Sequence, residues 1–287
     1  MKVLVFGKTG QVAQELQALA GPDVQIEALS RSEADLQNPS ECAERILATD
    51  ADVVINAAAY TAVDQAETEP DIAEIINATA PGAMAKAAAV RNLPFLHIST
   101  DYVFAGAGDT PHEASDPTDP INVYGRSKLA GEEAVRVAGG KYVILRTSWV
   151  FSAHGTNFVK SMLRLSESRD ALSIVADQHG GPTPAGDIAA TLLTMALGLL
   201  EGKPSGTYHY AGTPTTTWAD FARAIFQSSN RSVMVTNIPS SGFPTPAKRP
   251  LNSRLDCATL LSDFGVTPPD WQAGLTRVIT QLEQGDT

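Results

Sequence analysis

Short apolar runs alternate with longer helical stretches through the first half of the chain. Residues 3–6, 24–28, 53–57, 95–98 and 142–145 are brief and largely apolar at every position, the pattern of strands buried on both faces. Between them, residues 11–19, 39–49, 70–91 and 127–138 are of helical length and rich in Ala, Glu and Leu. Such alternation predicts an α/β fold with a doubly wound parallel sheet and right-handed crossovers. Residues 83–90 are nearly all small, so that helix is expected to pack closely on a neighbour. After Thr147 the rhythm changes. Pro, Gly and Thr thicken in 180–184, 213–215 and 239–250, while helical patterns persist at 157–168, 187–200, 218–227 and 271–283. The expected organisation is a sheet domain over 1–149 and a smaller, loop-rich lobe over 150–287, with a cleft between. The amphipathic stretch 187–200 is expected to return to the first domain.

Composition narrows the partners. The 287 residues carry a net charge of −11 and a pI near 4.9, which argues against a nucleic-acid backbone or an anionic membrane as the main partner. An anionic small ligand remains compatible if cations and helix N-termini gather locally. Cys42 and Cys257 are far apart, so neither a disulfide framework nor a structural zinc site is expected, and a reducing compartment fits. The apolar run 3–6 is too brief for a signal peptide and no stretch is long enough for a membrane span. A cytoplasmic protein is expected. The five histidines are scattered without metal-ligand spacing, and no metal is placed in the chemistry.

Five stretches carry chemistry. Gly7-Lys8-Thr9-Gly10-Gln11-Val12-Ala13 follows the first strand and opens the first helix, where small residues let backbone N–H groups approach a pyrophosphate at the helix N-terminus. Its spacing is Gly-x-x-Gly-x-x-Ala, and an ordinary strand–helix junction also uses glycines. Its place at the head of the alternating pattern favours a dinucleotide and a Rossmann-type domain. At the end of the second strand, Ser30-Arg31-Ser32 offers a planar cation between two hydroxyls, which favours NADPH while leaving NADH open. Asn56-Ala57-Ala58-Ala59-Tyr60-Thr61 follows the third strand with alanines that permit close ligand approach or simply a crowded junction. Ser99-Thr100-Asp101-Tyr102-Val103-Phe104 closes the fourth strand, at the edge where ligands sit in open α/β sheets. Tyr124-Gly125-Arg126-Ser127-Lys128 places a phenol and an ammonium one helical turn apart, on one face. A free tyrosine titrates near about 10, and a neighbouring cation is expected to lower that value. Such a pair suits proton exchange at an oxygen while a hydride moves on the adjacent carbon.

In this order the motifs resemble the extended short-chain dehydrogenase/reductases. The match tightens in Phe6-Gly7-Lys8-Thr9-Gly10-Gln11-Val12, Ser99-Thr100-Asp101-Tyr102-Val103-Phe104 and Thr147-Ser148-Trp149-Val150-Phe151. It continues in Asp177-Gln178-His179-Gly180-Gly181-Pro182-Thr183 and Arg249-Pro250-Leu251-Asn252-Ser253-Arg254-Leu255. These segments, running nearly to Trp271, strongly resemble the dTDP-4-dehydrorhamnose reductases. The resemblance implies reduction of the 4-keto group of dTDP-4-dehydro-β-L-rhamnose by NAD(P)H, the last step in making dTDP-L-rhamnose. It gives Tyr124 the proton donor's role, Lys128 the nicotinamide ribose and a lowered phenol pKa, and Thr100 the carbonyl. Gly7, Thr9, Gly10, Gln11 and Val12 match cofactor contacts, with Ser30, Arg31, Asp35 and Leu36 near the adenosine and Ala59, Tyr60 and Thr61 near the nicotinamide half. Thr100, Asp101, Tyr124 and Trp149 match sugar-nucleotide contacts. Arg249 suits a diphosphate, and Asn252 a polar edge of the ligand, though both also suit a loop held by local hydrogen bonds. Trp149 on its own would be read as core.

Two departures stand out. Some relatives carry Asp where Ser30 stands, which bears on dual cofactor use. Some are dimers with a divalent cation held by acidic residues at the interface; Glu15 is present, but Gly186 stands where an acidic ligand is expected, so a homodimer and an interface cation are both left open and no metal enters the chemistry. The competing readings are another nucleotide-sugar reductase or epimerase of the superfamily, and a non-catalytic subunit like the regulatory subunit of methionine adenosyltransferase. Retention of Thr100, Tyr124 and Lys128 favours an enzyme.

Overall fold

The computed structural model describes residues 1–285. Its first half is built from strands β1 (Lys2–Phe6), β2 (Gln25–Leu29), β3 (Val53–Asn56), β4 (Phe95–Thr100) and β5 (Tyr142–Thr147), with helices α1 (Gln11–Ala18), α2 (Pro39–Ala48), α3 (Val63–Ala66), α4 (Pro70–Glu74), α5 (Ala80–Val90) and α6 (Val123–Ala138). The second half adds β6 (Val150–Phe151), α7 (Phe158–Ser166), β7 (Ala171–Val175), β8 (His179–Gly180), β9 (Thr183–Pro184), α8 (Ala185–Leu200), β10 (Gly206–His209), β11 (Thr216–Thr217) and α9 (Trp218–Ser228). It closes with β12 (Met234–Ile238), β13 (Asn252–Ser253), α10 (Ala258–Phe264) and α11 (Trp271–Gly285).

The main sheet has six strands in the order β10-β5-β4-β3-β1-β2, each pair parallel. Alternation along the strands divides the core between two faces. Val3, Val5, Val53, Ile55, Val143 and Leu145 point to one face, where α1 brings Leu16 and α8 brings Ile188, Leu192 and Met195. Leu4, Phe6, Val54, Phe95 and Ile144 point to the other, against Ile46 of α2 and Met84 and Ala88 of α5. Each such aliphatic or aromatic side chain contributes roughly 1.5–3 kcal/mol on leaving water, which is why strands apolar on both sides belong in this sheet. β1 lies between β2 and β3, so the chain order reverses beside it and opens a crevice at the strand C-termini.

The smaller lobe is assembled from short pairings: β7 with β12, β6 with β9, and β8 between β11 and β13. Phe151, Val159, Phe221, Ile225, Trp271 and Leu275 form its core. α8 packs on the sheet through Ile188, Leu192 and Met195 and leads to β10, which pairs at the sheet edge beside β5. α10 follows, adding Leu260 and Phe264 to the same core. The first core therefore draws on more of the second half than the sequence pattern predicts. Gly206-Thr207-Tyr208-His209 is too short and polar to stand out as a strand. β7 and β12 escape for a similar reason, most of their side chains remaining at least partly exposed.

The stretch expected as one helix over 70–91 contains a π-helical turn at Ile75–Thr79 between α4 and α5. That turn presents Asn77 to α6 and to the loop after β3.

Candidate active site

The crevice at the C-terminal edge of the sheet is a cleft of about 800 Å³ that reaches from the glycine turn to the smaller lobe. β1 runs directly into Gly7, whose φ of 103° lies where L side chains are strained. A Cβ there would also stand 3.3 Å from the backbone of Ala57 and Ala58. Gly10 precedes α1, and no side chain caps that N-terminus, so its first N–H groups are available to an anion. Gly7, Thr9, Gly10, Gln11 and Val12 all line the cleft. Gln11 also holds the two lobes together, its carboxamide oxygen accepting from Asn157 at 2.9 Å and Ser152 at 3.2 Å.

At the far end, Arg31, Asp35 and Leu36 line the cleft with Lys8, a cation the sequence reading did not single out. The Arg31 side chain is 72% exposed and donates to Asp35 Oδ2 at 3.2 Å. Ser30 does not line the cleft; its hydroxyl donates to Glu33 at 2.6 Å and shapes the turn. Ala59 and Thr61 also line the cleft. Tyr60 turns its phenol to Glu69 at 2.8 Å, while its backbone is clasped by the Asn77 carboxamide at 2.8 and 3.0 Å. Asn77 was legible only as a polar residue in an otherwise apolar stretch.

Tyr124 and Lys128 occupy the first two turns of α6, which begins cleanly because the Asn122 side chain accepts the Gly125 N–H at 2.7 Å. Gly125 lets the helix approach the Tyr102 carbonyl, which a Cβ would strike. Thr100 ends β4 beside them, its hydroxyl 3.1 Å from Asp101 Oδ1. The three candidate catalytic residues thus meet in one cleft with Asp101.

The electrostatics differ from the sequence expectation. Burial pushes the Tyr124 phenol up to about 12; the Thr100 hydroxyl tempers the rise and the Asp101 charge adds to it. Lys128 does not lower it in this arrangement. Its amino end is buried, lying 3.2 Å from His97 Nε2 and 2.7 Å from the Ile98 carbonyl, and burial brings Lys128 down to about 8, against the opposing pull of Glu132. Burial also raises Asp101 to about 6, although the Ser253 and Thr100 hydroxyls oppose it. Asp101 Oδ2 and Thr147 Oγ1 are buried without a partner in hydrogen-bonding geometry, two unmet polar atoms at the cleft that a polar ligand would satisfy.

Behind this group is a buried ionic cluster that the sequence reading missed. Glu132 accepts from Ser99 at 2.6 Å, from Arg136 at 2.6 Å, and from Arg146 at 2.7 and 2.8 Å. Those donors hold its carboxylate below the ordinary range despite its burial. Its signal in sequence was one Glu a turn beyond Lys128, indistinguishable from a solvated helix face.

On the opposite wall stands Trp149, with a φ of 49° and its indole stacked on Trp218 at 3.7 Å between centroids. Both line the cleft. Arg249 and Asn252 are engaged elsewhere. Arg249 donates to Asp64 at 2.8 Å, and Asn252 is buried with its amide on the Thr110 carbonyl at 2.7 Å. Neither lines the cleft as it stands. Among the described residues no group of three or more His, Cys, Asp or Glu side chains is placed to hold a metal ion.

A glycine cradle, an uncapped helix start and unmet polar atoms fit a dinucleotide with a second polar ligand beside it. Comparison with known proteins points the same way. The family model described as "RmlD substrate binding domain" matches residues 1–284. A dTDP-4-dehydrorhamnose reductase of Sinorhizobium fredii is 44% identical across 98% of both chains. A crystal structure of a dTDP-4-dehydrorhamnose reductase from Clostridium acetobutylicum superposes with a TM-score of 0.93 at 36% identity, covering 99% of this chain and 100% of that one. Another, from Bacillus anthracis in complex with NADP, gives 0.92 at 35% identity, covering 98% and 99%. With sequence, length and fold matched almost end to end, the chain belongs to the dTDP-4-dehydrorhamnose reductase family.

Proposed function

We propose that this protein reduces the 4-keto group of dTDP-4-dehydro-β-L-rhamnose to give dTDP-L-rhamnose, using NADPH or NADH. The observation that carries the reading is the meeting of Thr100, Tyr124 and Lys128 in one cleft below the glycine turn. When bound, the reduced nicotinamide supplies a hydride. The α1 N-terminus and the Gly7–Gly10 turn hold the diphosphate, Arg31 and Lys8 face the adenosine end, and Lys128 meets the nicotinamide ribose. The Thr100 hydroxyl orients the substrate carbonyl. Tyr124, kept protonated at neutral pH by its raised pKa, gives its proton to the C4 oxygen as the hydride reaches C4. The ketone becomes a secondary alcohol, and the phenolate left behind is reprotonated from solvent. Trp149 forms the wall against the sugar nucleotide, with Asp101 and Thr147 offering it acceptors or hydroxyls. Arg249 reaches the substrate diphosphate if it exchanges Asp64 for that anion, and Asn252 holds the loop beside it.

The test is loss of NADPH absorbance with freshly prepared dTDP-4-dehydro-β-L-rhamnose, and NMR identification of the product. Formation of dTDP-L-rhamnose is expected. Cofactor binding without turnover of this substrate would overturn the assignment and favour another keto-sugar or a binding role. Tyr124→Phe is expected to lower kcat by about 10²–10⁴-fold, the ordinary yield of a positioned general acid, with NADPH affinity little changed. A variant of full activity would remove Tyr124 as the donor.

A further inference from the structure

Lys128 faces a partner that cannot accept from it. Asn56, at the end of β3, uses its carboxamide oxygen to accept the Ala58 N–H at 3.1 Å. A backbone N–H only donates, so this contact fixes the orientation of the amide and leaves its nitrogen facing His97 Nδ1 at 3.1 Å. Nδ1 must then accept. A neutral imidazole carries one proton, which falls on Nε2. Nε2 lies 3.2 Å from Lys128 Nζ, and an ammonium has three donors and no lone pair. Two donors would oppose each other where His97 is 0% and Lys128 1% exposed. Turning the Asn56 amide over only moves the clash to Ala58.

We propose that Asn56 locks His97 as its Nε2–H tautomer, and that His97 thereby favours the uncharged amine form of Lys128 until a cofactor binds. As an amine, Nζ accepts from His97 Nε2–H and donates to the Ile98 carbonyl at 2.7 Å. Binding of the dinucleotide draws Nζ off His97 Nε2–H and onto ribose hydroxyl oxygens, and there it takes one proton from the bulk buffer, –NH₂ becoming –NH₃⁺. His97 and Asn56 are positioning residues that set the charge on Lys128. The groups around Nζ support this. On β4 stand His97, Ile98 and Ser99; on α6 stand Tyr124, a phenol held neutral, and Glu132. Glu132 favours the ammonium, but its oxygens are committed to Ser99, Arg136 and Arg146, the last reaching in from β5. Burial depresses His97 well below its ordinary value, which removes the imidazolium alternative, and Lys128 shifts downward for the same cause. The inference rests on the cleft being a dinucleotide site, as proposed above.

NMR of the cofactor-free protein tests the lock directly. The ring-nitrogen shifts of His97 are expected to report the Nε2–H tautomer, and Lys128 Cε to titrate at or below about pH 8, more than two units under a free lysine. Calorimetry of NADP⁺ binding near pH 8.5, in buffers of different ionisation enthalpy, is expected to show uptake approaching one proton. Asn56→Asp gives Nδ1–H an acceptor and turns the Nε2 lone pair to Lys128, so its titration should rise by about two units and the uptake vanish. His97→Gln, whose amide oxygen accepts from an ammonium, should do the same by another route. An Nδ1–H tautomer or a charged Lys128 at pH 8.5 in the native protein overturns the proposal, whether or not either variant folds. Failure of NADP⁺ to bind would instead strike the dinucleotide reading, while the tautomer still decides the lock.

Discussion

Asp101 ionises against its surroundings, and the sign of that cost is readable. Its pKa is raised by burial to about 6 from the ordinary 3.8, so between those values the folded protein binds the proton more tightly than the unfolded chain. Stability therefore falls as pH rises from about 4 to about 6 and stays reduced above it. Asp101→Asn, neutral and nearly isosteric, should remove that slope and add up to about 3 kcal/mol at neutral pH, two pKa units at 1.36 kcal/mol each. Urea unfolding at pH near 4.5 and 7.5 measures it, and an unchanged slope would assign the cost elsewhere. The same substitution should lower turnover if Asp101 holds substrate, the usual trade between a strained site and stability. Arg31 offers a contrasting case. It is largely exposed and paired with Asp35, so Arg31→Ala should leave stability within about 0.5 kcal/mol yet raise the Kd for NADPH more than for NADH. An equal effect on both cofactors would show that Arg31 does not read the 2′-phosphate. At this scale residue identity and spacing singled out Thr100, Tyr124 and Lys128 as candidates, and the fold gathers the three in one cleft. Protonation was not legible: the expected drop at Tyr124 gave way to a rise because burial outweighs a lysine already committed to His97 and Ile98.

Helix α6 is where sequence and packing meet most tightly. Its Gly131 lies against the carbonyl of Asn77 in the π-helical turn, so a Cβ would overlap a backbone atom that cannot swing aside. Two effects of Gly131→Ala oppose each other. Alanine gains about 1 kcal/mol of helix propensity, whereas forcing a methyl into a packed contact costs typically about 1–3 kcal/mol. Because the obstacle is backbone, the clash should win by about 1–2 kcal/mol, and the shift of α6 should disturb Tyr124 and Lys128 and lower kcat. A urea midpoint equal to the parent's would mean that α6 does not press on the turn. The main helices and five sheet strands were legible because their apolar periods are long or continuous. The π-helical turn was not: residues 70–91 keep a helical composition throughout, and the extra residue in the turn follows from how Asn77 meets Tyr60 and Ser127. β10 was equally hidden. Its place beside β5 goes with the packing of α8 on the sheet, a long-range contact with no local signal.

The two lobes are topologically interleaved, and that sets how the molecule should unfold. α8, β10 and α10 belong to the core of the sheet domain yet follow β6 to β9 of the smaller lobe. The chain therefore crosses the cleft repeatedly. Gln11 binds Asn157 and Ser152 across it, and Arg249 binds Asp64. A fragment ending at residue 149 would leave β5 as an open edge and strip Ile188, Leu192 and Met195 from the first core. The placement of tryptophan makes this testable. All three, Trp149, Trp218 and Trp271, pack in or against the smaller lobe's core, whereas the far-ultraviolet circular dichroism is dominated by helices on both sides of the cleft. If interleaving couples the lobes, the two signals should follow one urea transition with a common midpoint. A tryptophan transition preceding the loss of helix would show the smaller lobe melting by itself, with the ties at Gln11 and Arg249 too weak to couple them. In the coupled case, a ligand bound at the glycine turn alone should still raise both midpoints together, by RT ln(1 + [L]/Kd). Saturating NADP⁺ is the direct probe: a shift confined to one signal would mean that the cleft joins two independently stable bodies.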